Sequence, residues 1–119
     1  MSAARVTGGV VKIVVGERVA RAVDGKADIG LARWHETAPG VVQLIELVVE
    51  EKRRRAGVGG ELLRAVVKAA RPRKMWVALG HRSSIVARAF LTRHGFHHVS
   101  TTRDLLSGED LLVYVKSWV

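Results

Sequence analysis

The chain has 119 residues, a length that one domain fills and that does not divide convincingly into two. Hydrophobic residues make up 48%, Gly and Pro are scattered, and cysteine is absent, which excludes a disordered tail, a disulfide framework, a thiolate metal site and a cysteine nucleophile. Lys and Arg outnumber Asp and Glu by 20 to 11, giving a net charge of +9 that favours anionic partners: nucleic acid, a phosphorylated cofactor, an acidic protein surface or acidic lipid.

The N-terminal "MSAARVTGGVVKIVV" has a short apolar run broken by Lys12, too short for a signal-peptide core or a membrane span. The expectation is a cytoplasmic protein without membrane contact, folding alone or as a homodimer. Strands follow: "VVKIVVG" (10–16), "ADIGLARWHE" (27–36) and "VVQLIELVVEE" (41–51), with "APG" turning the chain between the last two. "ERVARAVDG" reads either as a strand returning in a hairpin or as two helical turns ending at Gly25.

From Gly57 the period changes. Val58, Leu62, Leu63, Val66, Val67 and Ala70 share one helical stripe, Glu61, Arg64, Lys68 and Arg71 face away, and Pro72 ends the helix. "KMWVALG" (74–80) reads as a buried strand. Ser83 or Ser84 caps a second helix with the apolar stripe Ile85, Val86, Ala89 and Phe90 and a left-handed stop at Gly95. A strand pair, "FHHVSTTRD" and "LLVYVKSWV", closes the chain across "SGED". The central strand–helix–strand unit requires parallel pairing and the flanks antiparallel pairing, so the fold class is α/β (α+β), a mixed, mostly antiparallel sheet with flanking helices over residues 1–119 as a single domain.

The stretch "KRRRAGVGGELL" (52–63) sets four cations before three glycines and a helix. Free amides at a helix start, an uncovered glycine backbone and nearby cations suit a diphosphate, although glycines also simply permit a tight turn. A P-loop requires Lys-Ser or Lys-Thr after its last glycine, and Glu61-Leu62 stands there instead. A dinucleotide fingerprint requires a small residue at Leu62 and an acid near residues 79–81, and neither is present.

What remains, Arg54-x-x-Gly57-x-Gly59 between an apolar strand and an amphipathic helix, resembles the pyrophosphate-binding motif of the GNAT family of acyl-CoA N-acyltransferases. "SSIVARAFLTRHGF" (83–96) is similar to that family's next motif, and the order of elements from residue 41 onward agrees. The resemblance implies a splayed central sheet that holds acetyl-CoA or another acyl-CoA. Backbone groups of Val48, Val49 and Glu50 would take the pantetheine and thioester, amides from Arg54, Arg55, Ala56, Gly57, Val58, Gly59 and Gly60 the diphosphate, and Ser84 would stand where the family often has Asn. The reaction implied is attack of a neutral amine on the thioester, which requires a proton acceptor and oxyanion donors. Glu46 and His81 are the candidates for the first role, with His35 behind them.

Two departures bear on that reading. Alignment on Gly95-Phe96 puts Leu91 where the family has the tyrosine that protonates the leaving thiolate, and the single tyrosine, Tyr114, lies in the last strand. The helices that wall the family's acceptor site between its first two strands have at most "ERVARAVDG" to form them, so an open groove is expected, suited to a protein, nucleic-acid or other acidic acceptor. The alternatives are a non-catalytic coenzyme-A-binding protein and a basic nucleic-acid-binding or nucleic-acid-modifying domain. No metal is expected, because His97 and His98 are neighbours in a strand and point to opposite faces, and the His94, His97, His98 group is read as structural.

Overall fold

Residues with alternate burial define the first half of the chain. In this computed structural model, which describes the backbone of residues 2–6, 9–54, 56–82 and 85–118 and side chains from residue 11 onward, five strands follow one another: β1 (Ser2–Val6), β2 (Gly9–Gly16), β3 (Val19–Asp24), β4 (Ala27–Ala38) and β5 (Val41–Val49). In β2, Val11 and Ile13 are fully buried while Lys12 and Val14 are exposed. In β3, Ala20 and Ala22 are buried while Arg21 is exposed, so "ERVARAVDG" is a strand and its helical option is rejected. Two alanines at period 2 bury a face only when extended. The β2–β3 connection is a tight turn at Glu17 and Arg18, and Arg18 adopts φ 59° to make it.

The five strands form an antiparallel meander, and the whole sheet has the order β1-β2-β3-β4-β5-β6-β8-β7, with β6 (Lys74–Gly80), β7 (His97–Leu106) and β8 (Glu109–Ser117). The β5–β6 pair is parallel; β6–β8 and β8–β7 are antiparallel. The mixed, mostly antiparallel sheet expected from the element order is therefore present.

Helix α1 (Val58–Ala70) buries Val58, Leu62, Leu63, Ala65 and Val66 against the meander, the stripe that its 3.6-residue period predicts. Arg71 turns left-handed at φ 48° just before Pro72, which has no N–H to continue the ladder. Helix α2 (Ile85–Arg93) stops at Gly95, φ 89°, in a Schellman arrangement: the Phe96 N–H donates to the Leu91 carbonyl and the Gly95 N–H to that of Thr92. Leu91 and Phe96 are buried together in the core. The predicted stripe is corrected here, because Ile85 and Val86 are 68% and 73% exposed and Leu91 is the residue turned inward. The C-terminal closure on Phe96 fixes the rotation of this short helix, and its first turn projects into solvent.

Both helices lie on the same face. Gly59 and Gly60 of α1 approach Phe90 of α2 and His94 just past it, and Lys116, paired in β8 with the buried Met75, donates to the His94 carbonyl. The shortest dimension of the molecule, 21 Å, is that of one sheet and one helix layer. The opposite face carries no helix among the described residues. It presents cross-strand rows such as Val14–Arg21–Leu31–Val48 and His35–Gln43–Trp76.

Candidate functional site

The sheet splits in the middle. β5 and β6 pair over three positions, Val41↔Lys74, Val42↔Met75 and Gln43↔Trp76, and then separate. Beyond that point β5 stays bonded to β4 and β6 stays bonded to β8 as far as Gly80. A bulge accounts for the parting. Arg33 pairs with Glu46 and Trp34 with Leu44, so Ile45 is an extra residue in β5 two residues past the last shared rung. Such a residue bends its strand and increases its twist.

The split leaves one edge of β5 unpaired. The Glu50 N–H is bonded to the Ile29 carbonyl at 2.8 Å. Along a regular strand successive residues turn their backbone groups to opposite sides, so Val48 also faces β4, while Leu47 and Val49 face the gap. Of the backbone positions expected to hold an extended ligand, Val49 is thus open and Val48 and Glu50 are engaged with β4; Leu47, not anticipated, joins Val49. The signal that selects them is strand register, which residue type does not reveal. The Val49 carbonyl already accepts from Arg54 Nε at 3.1 Å and retains a second lone pair.

β5 leads through a short 3-10 turn (Glu51–Arg53) to the glycine stretch. Gly57 is the left-handed N-cap of α1, φ 86°, and an added Cβ would meet nothing within 4 Å, so its requirement is conformational and the space above it is open. Gly59 and Gly60 answer to packing: a Cβ there would lie 3.2 Å from the Phe90 and His94 rings respectively. The glycines therefore serve the turn and the α1–α2 contact, and the N–H groups of the first turn of α1, ahead of Glu61, have no intrahelical partner. Of the four cations, Arg53 pairs with Asp24 at 2.6 Å, Arg54 holds Val49, Lys52 is exposed, and Arg55, like Ser84 and Ser83, lies outside the described residues. Ala56 is half-buried against the core at the same turn.

On the bare face, just past the split, a groove of about 400 Å³ is lined by Arg21, Asp28, Ile29, Gly30, Leu31, Glu46, Val48 and Glu50. Glu46 sits in it, 3.6 Å from Arg33 Nη1 across the strand pair. His81 follows β6 on the other arm of the split; it is exposed, and its backbone N–H donates to the Asp110 carbonyl. Glu46 and His81 thus sit on opposite arms. His35 Nε2–H donates to Gln43 Oε1 at 2.7 Å on the last closed rung. Asp28, Arg21 and Arg33 belong to this surroundings only through cross-strand register, so spacing along the chain gave no sign of them.

The position aligned with the family's tyrosine, Leu91, is 3% exposed and packed in the core. Tyr114 is on the helix face of β8, and its hydroxyl accepts from Arg88 Nε at 3.4 Å. His94 stacks on Phe90 at 4.3 Å between ring centroids; burial, and then the charges of Arg93, Arg64 and Lys116, lower its pKa from the usual 6.5. His97 and His98 pair with Val115 and Tyr114 and so point to opposite faces of β7. Among the described residues no three His, Asp or Glu side chains converge as metal ligands.

Comparison with known proteins follows the same lines. The model of the acetyltransferase (GNAT) domain matches residues 12–98. A GNAT-family structure from Desulfovibrio desulfuricans is similar at TM-score 0.78 and 23% identity, over 83% of this chain and 67% of the other. A Bacillus subtilis acetyltransferase solved with CoA is similar at TM-score 0.72 and 19% identity, over 87% and 79%. An Elizabethkingia anophelis GNAT acetyltransferase with acetyl-CoA bound is similar at TM-score 0.68 and 19% identity, over 83% and 74%. Among curated proteins no match is found. With the family model spanning β2 to β7 and the divided sheet present in its middle, the chain belongs to the GNAT family of acetyltransferases.

Proposed function

We propose that the chain is a single-domain, cytoplasmic N-acetyltransferase that moves an acetyl group from acetyl-CoA to a primary amine. The observation that carries this reading is the separation of β5 from β6 directly above the Gly57 turn. An extended thioester arm is recognised by the unpaired backbone edge at Leu47 and Val49, in the way a strand is added to a sheet. Its diphosphate meets the first-turn amides of α1, with Lys52 and the free donors of Arg54 beside them.

The chemistry assigned to this chain's groups is limited. Glu46 accepts the proton that the attacking ammonium must lose, directly or through one water, with His81 as the competing candidate. A backbone N–H on the open edge of β5 donates to the oxyanion that forms when the amine adds to the carbonyl. The C–S bond then breaks and the sulfur leaves as thiolate. With Leu91 in place of a phenol, this step is unassisted, which an alkyl thiol with a pKa near about 8.5, by analogy with cysteine, permits near neutrality.

The acceptor class follows from the groove's own charge. Although the chain carries 20 cations against 11 acids, the groove sets Asp28, Glu46 and Glu50 against Arg21. A protonated amine is attracted there and an anionic one is not. The absence of a helix between β2 and β3 leaves the groove open from the side, so an amine displayed on a macromolecule, such as a protein lysine or N-terminus, fits as well as a free one.

The buried Leu91 favours one second reading, a coenzyme-A-binding protein without turnover. Calorimetric titration with acetyl-CoA, followed by an assay of free thiol in the presence of lysine peptides and polyamines, separates the two. Binding with thiol release supports transfer, and binding without release supports the second reading. Absence of binding, or binding unaffected by Gly57→Glu, removes both.

A further inference from the structure

A second groove, of about 860 Å³, lies on the other side of α2 from the cleft, lined by Ile85, Arg88, Ala89, Thr92, Arg93 and Tyr114. Its separation from the Gly57 turn is a matter of helix geometry. Phe90 of α2, and His94 just past its end, face α1 at Gly59 and Gly60. Arg88 and Thr92 each stand two residues from Phe90, which at 3.6 residues per turn is a rotation of about 200°. The groove therefore opens away from the phosphate turn, between α2 and β8.

Its polar groups are donors, and they are set in place. Arg88 Nε donates to the Tyr114 hydroxyl at 3.4 Å and Nη1 to the His81 carbonyl at 3.3 Å. That bracing leaves Arg88 with three further N–H donors, and the Tyr114 hydroxyl, which accepts from Arg88, keeps its own proton to donate. Thr92 adds a hydroxyl and Arg93 a second guanidinium. The ion pairs among the described residues are Arg33–Glu46, Arg53–Asp24 and Arg64–Glu61, so neither Arg88 nor Arg93 is neutralised by one of them, and no carboxylate lines the groove. Ile85, 68% exposed, and Ala89 supply an apolar lip. Two guanidinium groups with two hydroxyls match the oxygens of one carboxylate or phosphate, and the lip matches an apolar body attached to it.

We propose that the groove between α2 and β8 is a second anion site, taking a small organic acid, a carboxylate or phosphate monoester on an apolar chain, independently of the coenzyme cleft. The test is calorimetry of the full chain with hexanoate, hexyl phosphate and, as a cation control, hexylamine, each with and without saturating coenzyme A. The expected result is binding of one or both acids that persists with coenzyme A present, and no binding of hexylamine. The tighter acid identifies the headgroup. Arg93→Gln, which breaks no hydrogen bond recorded among the described residues, should weaken the acid by about tenfold, the loss of one charge-assisted hydrogen bond. Arg88→Gln should weaken it further, whereas Gly57→Glu should leave it unchanged. Equal binding of hexylamine, displacement by coenzyme A, indifference to Arg93→Gln in a folded variant, or no heat for either acid would each overturn the proposal.

Discussion

Glu46 illustrates how a side chain acquires its surroundings from neighbours across the sheet. Alone it is one of eleven acids; in β5 it stands one residue past the Ile45 bulge, on the bare face, with Arg33 at 3.6 Å. Both partners are well exposed, so the pair contributes little to stability, and its consequence is orientation. Glu46→Gln is expected to lower kcat/KM by about a hundredfold, within the range for loss of a general base, while acetyl-CoA affinity stays unchanged. Full activity in that variant would transfer the role to His81. His94 offers an independent check on the packing around the glycine turn. Burial and the charges of Arg93, Arg64 and Lys116 all disfavour its protonated form, so its pKa lies below 6.5. The folded state then binds fewer protons than the unfolded chain. The stability this confers is complete above pH 6.5 and is lost as pH falls through the lower folded value. Titration of the imidazole by NMR should give a midpoint below 6.5 that rises in Arg93→Gln; a normal midpoint would contradict the tight α1–α2 approach.

At the level of elements, the bulge in β5 and the closure of α2 are each set by a single residue. Deleting Ile45 removes the unpaired residue and leaves Trp34↔Leu44 and Arg33↔Glu46 as consecutive rungs, so Glu46 and Val48 keep the bare face while the bend that carries β5 away from β6 is lost. The expected outcome is a folded but inactive protein with acetyl-CoA affinity reduced at least about tenfold, measurable by calorimetry. Gly95→Ala tests α2. The position requires φ 89°, and an added Cβ would also lie 3.3 Å from the Lys116 side chain, so thermal unfolding should move down by the equivalent of about 1 kcal/mol or more. The unusual exposure of Ile85 and Val86 is explained by the same closure, since Gly95 and Phe96 orient the helix from its C-terminal end and leave its first turn unsupported.

At the scale of the molecule, the architecture is two layers, with both helices on one face of an eight-stranded sheet that parts in the middle. The two halves of the sheet are joined along only three rungs between β5 and β6, so a ligand seated in the cleft bonds across them. Acetyl-CoA at about a hundred times its Kd should therefore stabilise the fold by about 2.7 kcal/mol and slow amide exchange at Leu47 and Val49 in particular. Affinity should fall with added salt, as expected where phosphates meet Lys52 and Arg54. Much of this was legible in the order of residues. The strands β2, β4, β5, β6, β7 and β8, α1 with its buried stripe, the stop at Gly95, and a glycine turn placed between an apolar strand and a helix follow from local periodicity and backbone preference, which act over a few neighbours, whereas β1 was not anticipated. The choice of strand for "ERVARAVDG" did not, because Ala and Arg tolerate both conformations until partners on β2 and β4 select one. Nor did the inward turn of Leu91, the division of labour among Gly57, Gly59 and Gly60, the open backbone at Leu47, or the company of Glu46. These depend on register and on contacts between elements distant in the chain. The residue types thus determined a glycine turn opening a helix on a mixed sheet, and tertiary pairing alone decided which face is bare, where the sheet opens and which groups line the opening.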